Sequence, residues 1–101
     1  RPTNAQGGTT WACGLGDADE LVTFNNAGSQ TITVPPNASV AFSVNTEIDL
    51  ISLGAGTVTI AAGSGVTIRS LSGALALSGQ YAGATLKKIA TNEWLLVGSL
   101  A

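Results

Sequence analysis

Residues 84–98, ATLKKIATNEWLLVG, predict how this chain closes its fold. Two mostly apolar runs flank Thr91 and Asn92, which have the polar character of a two-residue β-hairpin loop. With this loop, Ile89 lies directly opposite Trp94 on the facing strand. The stretch therefore predicts an antiparallel hairpin.

Both faces of the predicted hairpin are rich in apolar side chains. One face carries Lys87, Ile89, Trp94 and Leu96, and the other carries Leu86, Lys88, Glu93, Leu95 and Val97. A strand that is apolar on both faces is usually buried on both, and a chain of 101 residues forms only one modest core. We therefore expect another copy of the chain to cover one face. The predicted core and intersubunit residues are Leu86, Ile89, Trp94, Leu95 and Val97.

Two charged contacts follow from the same pairing. Lys87 is diagonal to Trp94, which predicts a cation–π contact, and Lys88 is diagonal to Glu93, which predicts an ion pair. Both contacts would fasten the hairpin without creating a site.

Short alternating segments predict strands along the rest of the chain, because helical spacing of apolar residues is absent and turn residues recur. The predicted strands are TTWAC (9–13), ELVTF (20–24), QTITV (30–34), SVAFSV (39–44), EIDLIS (47–52), TVTIAA (57–62), VTIRS (66–70), ALALS (74–78), ATLKKIA (84–90) and EWLLVG (93–98). The expected fold class is all-β: a single small antiparallel β-sandwich or barrel of about 8–10 short strands.

Alternation within these segments assigns their faces. In residues 47–52, Ile48 and Leu50 are expected to face the core, while Glu47 and Asp49 point outward. Outward charges of this kind are typical of a strand that must stay soluble.

A short sequence repeat relates residues 57–62 to residues 66–70. Val-Thr-Ile at 58–60 recurs at 66–68. A β-solenoid is one interpretation, but two copies fall short of the three repeats that such a stack needs. The simpler interpretation is a second hairpin with Val and Ile facing inward.

Composition excludes several classes of function. Charged residues make up 10% of the chain, against about 25% in an average soluble domain, and the net charge is −2. The only adjacent basic pair is Lys87-Lys88, so no footprint for a nucleic-acid backbone exists. The apolar runs are far shorter than the roughly 20 residues of a membrane-spanning helix. We predict neither nucleic-acid binding nor membrane insertion.

Catalytic and metal-binding chemistry is also not expected. The chain has no His and one Cys, so no Cys/His cluster or His-based catalytic pair can form. We predict no enzyme activity, no cofactor and no metal site. Asp17, Asp19 and Glu20 offer Ca²⁺ ligands, but the loop lacks the length of an EF-hand and is interpreted as a solvated turn. Cys13 is expected to be a small buried side chain.

Two aromatic residues are the candidates for stacking on sugar rings. Trp11 and Tyr81 lie among Gly, Ala and Gln and are therefore freer to be exposed than Trp94. They favour an alternative function, a carbohydrate-binding module of a secreted bacterial protein.

The second half of the chain resembles a known group of proteins. The motifs are TEI at 46–48, GAGTVTI at 54–60, GVTI at 65–68, GQYAGATLKK at 79–88 and EWLLVGSL at 93–100. Together they resemble the C-terminal β-rich modules of virion structural proteins of tailed bacteriophages, of tail-fibre, head-fibre or decoration type. The resemblance covers residues 30–101.

The resemblance implies a non-enzymatic homotrimer on the virion surface, with other virion proteins and host-surface polysaccharide as partners. Residues 1–29 lie outside it and are expected to be an attachment segment or extra strands, within one domain with residues 30–101. Placement on the head or on the tail stays open.

Overall fold

Nearly the whole chain is described by the computed structural model, which covers residues 3–101 apart from the side chain of Leu71. Residues 1 and 2 of the predicted segment 1–29 lie outside this range. The strands are β1 Thr3–Gln6, β2 Thr10–Ala12, β3 Leu21–Phe24, β4 Gln30–Val34, β5 Glu47–Ser52, β6 Val58–Ala62, β7 Thr67–Ser70, β8 Gly83–Ala90 and β9 Glu93–Gly98. Two single 3-10 turns, Leu15–Asp17 and Leu71–Gly73, are the only helical elements in the described range. The chain is therefore all-β, as expected.

The first six strands alternate between two sheets. The larger sheet has the order β1-β3-β5-β8-β9-β7 and the smaller has the order β2-β4-β6. We define coil 1 as β1 and β2, coil 2 as β3 and β4, and coil 3 as β5 and β6. Each strand pairs in parallel with its counterpart in the next coil, so the chain path is that of a short β-solenoid.

Strand pairing corrects the predicted antiparallel sandwich or barrel. The sheets are mixed: β5–β8 and β8–β9 are antiparallel, while the other pairings between these nine strands are parallel. The predicted hairpin of residues 57–62 and 66–70 is wrong, because β6 pairs with β4 and β7 pairs with β9. Alternation indicates which side chains of a strand face the core, but it does not specify the neighbouring strand. The repeated Val-Thr-Ile sequence was therefore no evidence that the two segments pair with each other.

Two other predicted strands are replaced by loops. Residues 39–44 form no strand, although Phe42 is buried there, and Val44 is half exposed. Residues 74–78 contribute only isolated bridges at Ala76 and Leu77. Both segments still cover the core, because Val40 and Leu75 pack against it.

One core lies between the two sheets. The buried apolar residues are Cys13, Val22, Phe24, Ile32, Val34, Phe42, Ile48, Leu50, Val58, Ile60, Val66, Leu77, Ala84, Leu86, Trp94 and Leu96. The predicted inward orientation of Ile48 and Leu50 is confirmed, since both are fully buried, and Glu47 is exposed as expected. Strands β1–β3, from the predicted segment 1–29, pair within the same sheets as the later strands.

The coils stack tightly where the chain turns from the larger sheet to the smaller one. The side chain of Asn26 donates from Nδ2 to the carbonyl of Gly7, 2.8 Å away. The backbone carbonyl of Asn26 accepts from the N–H of Gly56 at 2.9 Å. A Cβ on Gly56 would lie 1.8 Å from the carbonyl oxygen of Gly28. Only glycine can occupy this position without pushing the coils apart.

Candidate assembly surface and end faces

The closing hairpin formed by β8 and β9 has the predicted turn but a different register. Ala90 lies opposite Glu93 as expected, yet Lys88, and not Ile89, lies opposite Trp94. A β-bulge between Lys88 and Ala90 accommodates Ile89 as an extra residue in the ladder. One inserted residue exchanges the two faces of β8, so the predicted faces of that strand are wrong.

Lys88 consequently points into the core, where it is 2% exposed. Its Nζ donates to Oδ1 of Asn37 and to the carbonyl of Phe42, each at 2.6 Å. The ring of Phe42 packs edge-on against Trp94 with 5.3 Å between ring centroids. Lys88 therefore fastens the loop between β4 and β5 over the hairpin, because a buried ammonium group needs hydrogen-bond acceptors.

The two charged contacts predicted for the hairpin do not form. Lys87 instead lies 3.7 Å from a carboxylate oxygen of Glu47 on the neighbouring strand. Glu93 pairs with Arg69 of β7. Both ion pairs lie on the outer face of the larger sheet, because Lys87 alternates with buried Lys88 and Arg69 lies opposite Leu95.

The predicted intersubunit residues separate into two groups. Leu86 and Trp94 lie in the core. Leu95 is half-buried on the outer face, while Ile89 and Val97 are 39% and 46% exposed. Apolar area is therefore available for contacts only at the last three.

A groove of about 580 Å³ runs beside Val97 on the outer face of the larger sheet. Its lining includes Leu21, Asp49, Ile51, Gly83, Thr85 and Val97. The floor is low because Gly83 and the neighbouring Gly98 have no side chains. Thr85 donates its hydroxyl to Asp49 at 2.7 Å, so polar groups at the groove are engaged within the sheet. We call this side of the larger sheet, which carries the groove, Leu95 and Val97, the outer face.

The end of the stack formed by coil 1 is polar. Gln6 donates from Nε2 to Oδ1 of Asn4, and Asn4 donates from Nδ2 to Oδ1 of Asp17, both at 2.7 Å. Trp11 is half-buried and contacts Phe24 edge-on, with 5.7 Å between ring centroids. We call Asn4, Gln6 and Trp11, with the edges of β1 and β2, the amino-terminal end.

The two candidate glycan-stacking residues lie in different parts of the fold. Trp11 belongs to coil 1, whereas the N–H of Tyr81 donates to Ser52 of coil 3 at 2.6 Å. Tyr81 is 72% exposed and its φ is 69°, a left-handed conformation that non-glycine residues rarely adopt. The structure does not combine the two rings into one platform.

The acidic loop before β3 is held by internal hydrogen bonds. Asp17 is buried, and its second carboxylate oxygen accepts from the N–H of Gly14 at 2.8 Å. Asp19 accepts from the N–H of Glu47 at 3.3 Å. Residues 3–101 contain no group of three His, Cys, Asp or Glu side chains with metal-binding geometry.

Cys13 is buried as expected, at 3% exposure. Burial, together with the negative charge of Asp17, raises the pKa of the Cys13 thiol to about 12. A thiol in this environment stays protonated and unreactive near neutral pH.

No family model, curated protein or solved structure matches this chain. In the described part of the chain, neither helical turn approaches the length or apolar character needed to cross a membrane.

Proposed function

We propose that this chain is a surface structural module of a tailed-bacteriophage virion, of fibre or decoration type, that assembles as a homotrimer through its outer face. It acts without enzymatic chemistry, and its partners are further copies of itself, other virion proteins and host-surface polysaccharide. The observation that carries the proposal is the exposed apolar area of Val97 beside the groove, next to the half-buried Leu95.

Charge on the outer face supports its burial in an interface. Two opposite-charge pairs, Lys87 with Glu47 and Arg69 with Glu93, are already formed within one subunit. Burial of a charge that has no partner is costly in an interface. A subunit contact that covers these two pairs buries each of the four charges together with its partner. Apolar area with paired charges around it is typical of a subunit contact.

The rest of the surface supports a structural role. The outer face of the smaller sheet carries Thr10, Thr31 and Thr59 in register, and charged residues are only 10% of the chain. Such a neutral, hydroxyl-rich surface suits a module packed among other proteins on a particle. Cryo-electron microscopy of an intact virion tests the location directly and distinguishes head from tail placement.

Analytical ultracentrifugation at micromolar concentration tests the assembly. The expected mass is three times the 10.0 kDa of one chain. The double change Leu95→Asp and Val97→Asp places carboxylates in the proposed contact and is expected to abolish that trimer. The control Thr31→Asp adds a charge at an exposed position of the smaller sheet and is expected to leave it intact. A folded wild-type monomer, or a trimer unaffected by the double change, would contradict the proposal.

A glycan contact has one supporting observation, the 72% exposure of Tyr81. Stacking on a sugar needs an accessible ring face, and Trp11 is half-buried against Phe24. A glycan array probed with wild type and Tyr81→Ala tests this function, which also applies to a carbohydrate-binding module of a secreted bacterial protein. Binding lost in Tyr81→Ala supports it, and an array without hits removes it.

A further inference from the structure

Lys88 and Asn37 are in contact inside the protein, although they lie 51 positions apart in the chain. The Nζ of Lys88 lies 2.6 Å from Oδ1 of Asn37 and 2.6 Å from the carbonyl oxygen of Phe42. Lys88 is 2% exposed, and the rings of Phe42 and Trp94 pack against each other next to it. An amine and a carboxamide, the two reactants of an amide exchange, therefore meet where little water can compete.

Asn37 is held in this position by the backbone around it. Its N–H donates to Oδ1 of Asn92, 2.7 Å away in the turn of the closing hairpin. Pro36, which has a constrained φ, accepts at its carbonyl from the N–H groups of Ser39 and Val40 at 2.9 and 3.1 Å. Groups that a folded chain holds together in a good orientation react as if their concentration were about 10⁵–10⁸ M.

The charge of Lys88 also favours a reaction at this position. The loop over it, residues 35–46, contains no titratable side chain. The ion pairs among the described residues lie on the outer face and do not include Lys88. A buried charge without a counter-charge is costly. Conversion of the ammonium group to an amide removes this charge from the interior, because the released ammonium ion carries it into water.

We propose that Lys88 and Asn37 form an intramolecular isopeptide bond. The Lys88 amine, after loss of one proton, attacks Cγ of Asn37, and a bond forms between Nζ and Cγ. The bond between Cγ and Nδ2 breaks, and Nδ2 leaves as ammonia with its electron pair and a proton from Nζ. In sum, an ammonium group and a carboxamide give a secondary amide and an ammonium ion, so no further reactant is needed. The N–H that remains on Nζ has the carbonyl of Phe42 as its acceptor.

The isopeptide bond joins the loop between β4 and β5 covalently to the closing hairpin. A cross-link between residues 51 positions apart restricts the unfolded chain and thereby stabilises the fold. The reaction occurs once in each chain and involves neither the outer face nor a partner. Its presence or absence therefore does not depend on the proposed trimer or on placement in a virion.

Intact-mass spectrometry of the full chain tests the bond. The folded wild-type protein is expected to weigh less than its sequence predicts by one ammonia molecule, in a fraction that grows during incubation. Tandem mass spectrometry of a tryptic digest is expected to show Asn37 and Lys88 in one branched peptide, without cleavage after Lys88. Protein incubated in urea is expected to keep the full mass, because unfolding separates the two groups.

Two variants each remove one reactant. Lys88→Arg keeps a positive charge and hydrogen-bond donors but lacks the amine, and Asn37→Ala lacks the carboxamide. Both are expected to keep the full mass. The matched control Lys87→Arg changes the neighbouring lysine on the outer face and is expected to lose ammonia as wild type does. Circular dichroism shows which variants are folded.

Two results would overturn the proposal. One is a folded wild-type protein that keeps the full sequence mass throughout a prolonged incubation. This result needs no variant, so it does not depend on whether a substituted chain folds. The other is a loss of ammonia that persists in Asn37→Ala or is reversed by hydroxylamine. A succinimide at an asparagine gives the same mass change, but hydroxylamine opens it and leaves an isopeptide bond intact.

Discussion

The two ends of the coil stack are built in opposite ways. Beyond coil 3, β8 pairs with β5, and residues 75–77 bond to β6 through the 2.7 Å contact from Ile60 N–H to the Leu75 carbonyl. The inward side chains there include Trp94 and Leu86, both fully buried. Beyond coil 1 no described strand follows, and the inward side chains of β1 are Asn4 and Gln6.

This contrast shows what an end of a solenoid requires. Each inner coil is apolar because coils on both sides exclude water. The carboxy-terminal end reaches the same condition with a hairpin that acts as a lid. No described residue covers the amino-terminal end in this way. The side-chain amides of Asn4 and Gln6 can therefore contact water at low cost while they hydrogen-bond to each other.

The two tryptophans provide the largest expected difference between the ends. Trp94→Ala should lower the free energy of unfolding by about 3–5 kcal/mol, because a fully buried ring leaves a large cavity. Trp11→Ala should lower it by about half as much, since its ring is half-buried. Urea denaturation followed by far-ultraviolet circular dichroism measures both. Equal losses would show that the amino-terminal end is packed as tightly as the lid.

Two neighbouring lysines test what fastens the lid. Lys88→Met should lower the free energy of unfolding by about 2–4 kcal/mol, because the Asn37 side chain and the Phe42 carbonyl lose their donor. Lys87→Met removes only a partly exposed ion pair and should cost less than about 1 kcal/mol. Chemical denaturation compares the two. The interpretation fails if Lys88→Met is as stable as Lys87→Met.

Glycine positions sharpen the contrast between the inner coils and the amino-terminal end. Gly56→Ala should destabilise by about 1–3 kcal/mol, since the new methyl group would collide with the Gly28 carbonyl in the next coil. Gly8→Ala at the first corner should change stability by less than about 1 kcal/mol, because the nearest atom to its Cβ is 3.7 Å away. Thermal unfolding distinguishes them, and similar melting temperatures would argue against tight stacking.

The smallest effect concerns Cys13 beside the amino-terminal end. Its pKa is raised from 9.0 to about 12 by burial, so the folded state favours the protonated thiol. Its contribution to stability is complete below pH 9 and is lost as pH rises through about 12. Between pH 8 and pH 10, wild type should lose about 1 kcal/mol more than Cys13→Ala. Parallel losses in denaturation at the two pH values would disprove the burial of this thiol.

Local pattern predicted much of the fold. The alternation that placed Ile48 and Leu50 inside and Glu47 outside is confirmed, as is the turn at Thr91 and Asn92. These features depend on neighbouring residues and on the two-residue period of a strand. The all-β class follows from the same patterns.

Parallel stacking was missed because its signal joins distant residues. Leu21 pairs with Asp49 and Gln30 pairs with Val58, both 28 residues apart. The sequence AGSQTI at 27–32 and its counterpart AGTVTI at 55–60 carry this repeat. Comparison at that spacing would have favoured a solenoid over the hairpin suggested by the nearer Val-Thr-Ile repeat.

For the candidate sites, prediction was limited by one inserted residue. The sequence singled out the hairpin residues, but the bulge at Ile89 decided that Lys88, and not Lys87, would face the core. A bulge forms where the tertiary packing on the two sides of it fixes different strand registers. The alternation of apolar and polar residues in the sequence therefore does not reveal its position.

By itself, the sequence determined that the chain is all-β, poor in charged residues and without histidine, because composition and short-range alternation are local properties. The tertiary structure alone decided which strands pair, which lysine is buried, and that a hairpin covers the stack beyond coil 3. Those features arise from contacts between residues far apart in the chain, where partners compete for the same backbone groups and the same core volume.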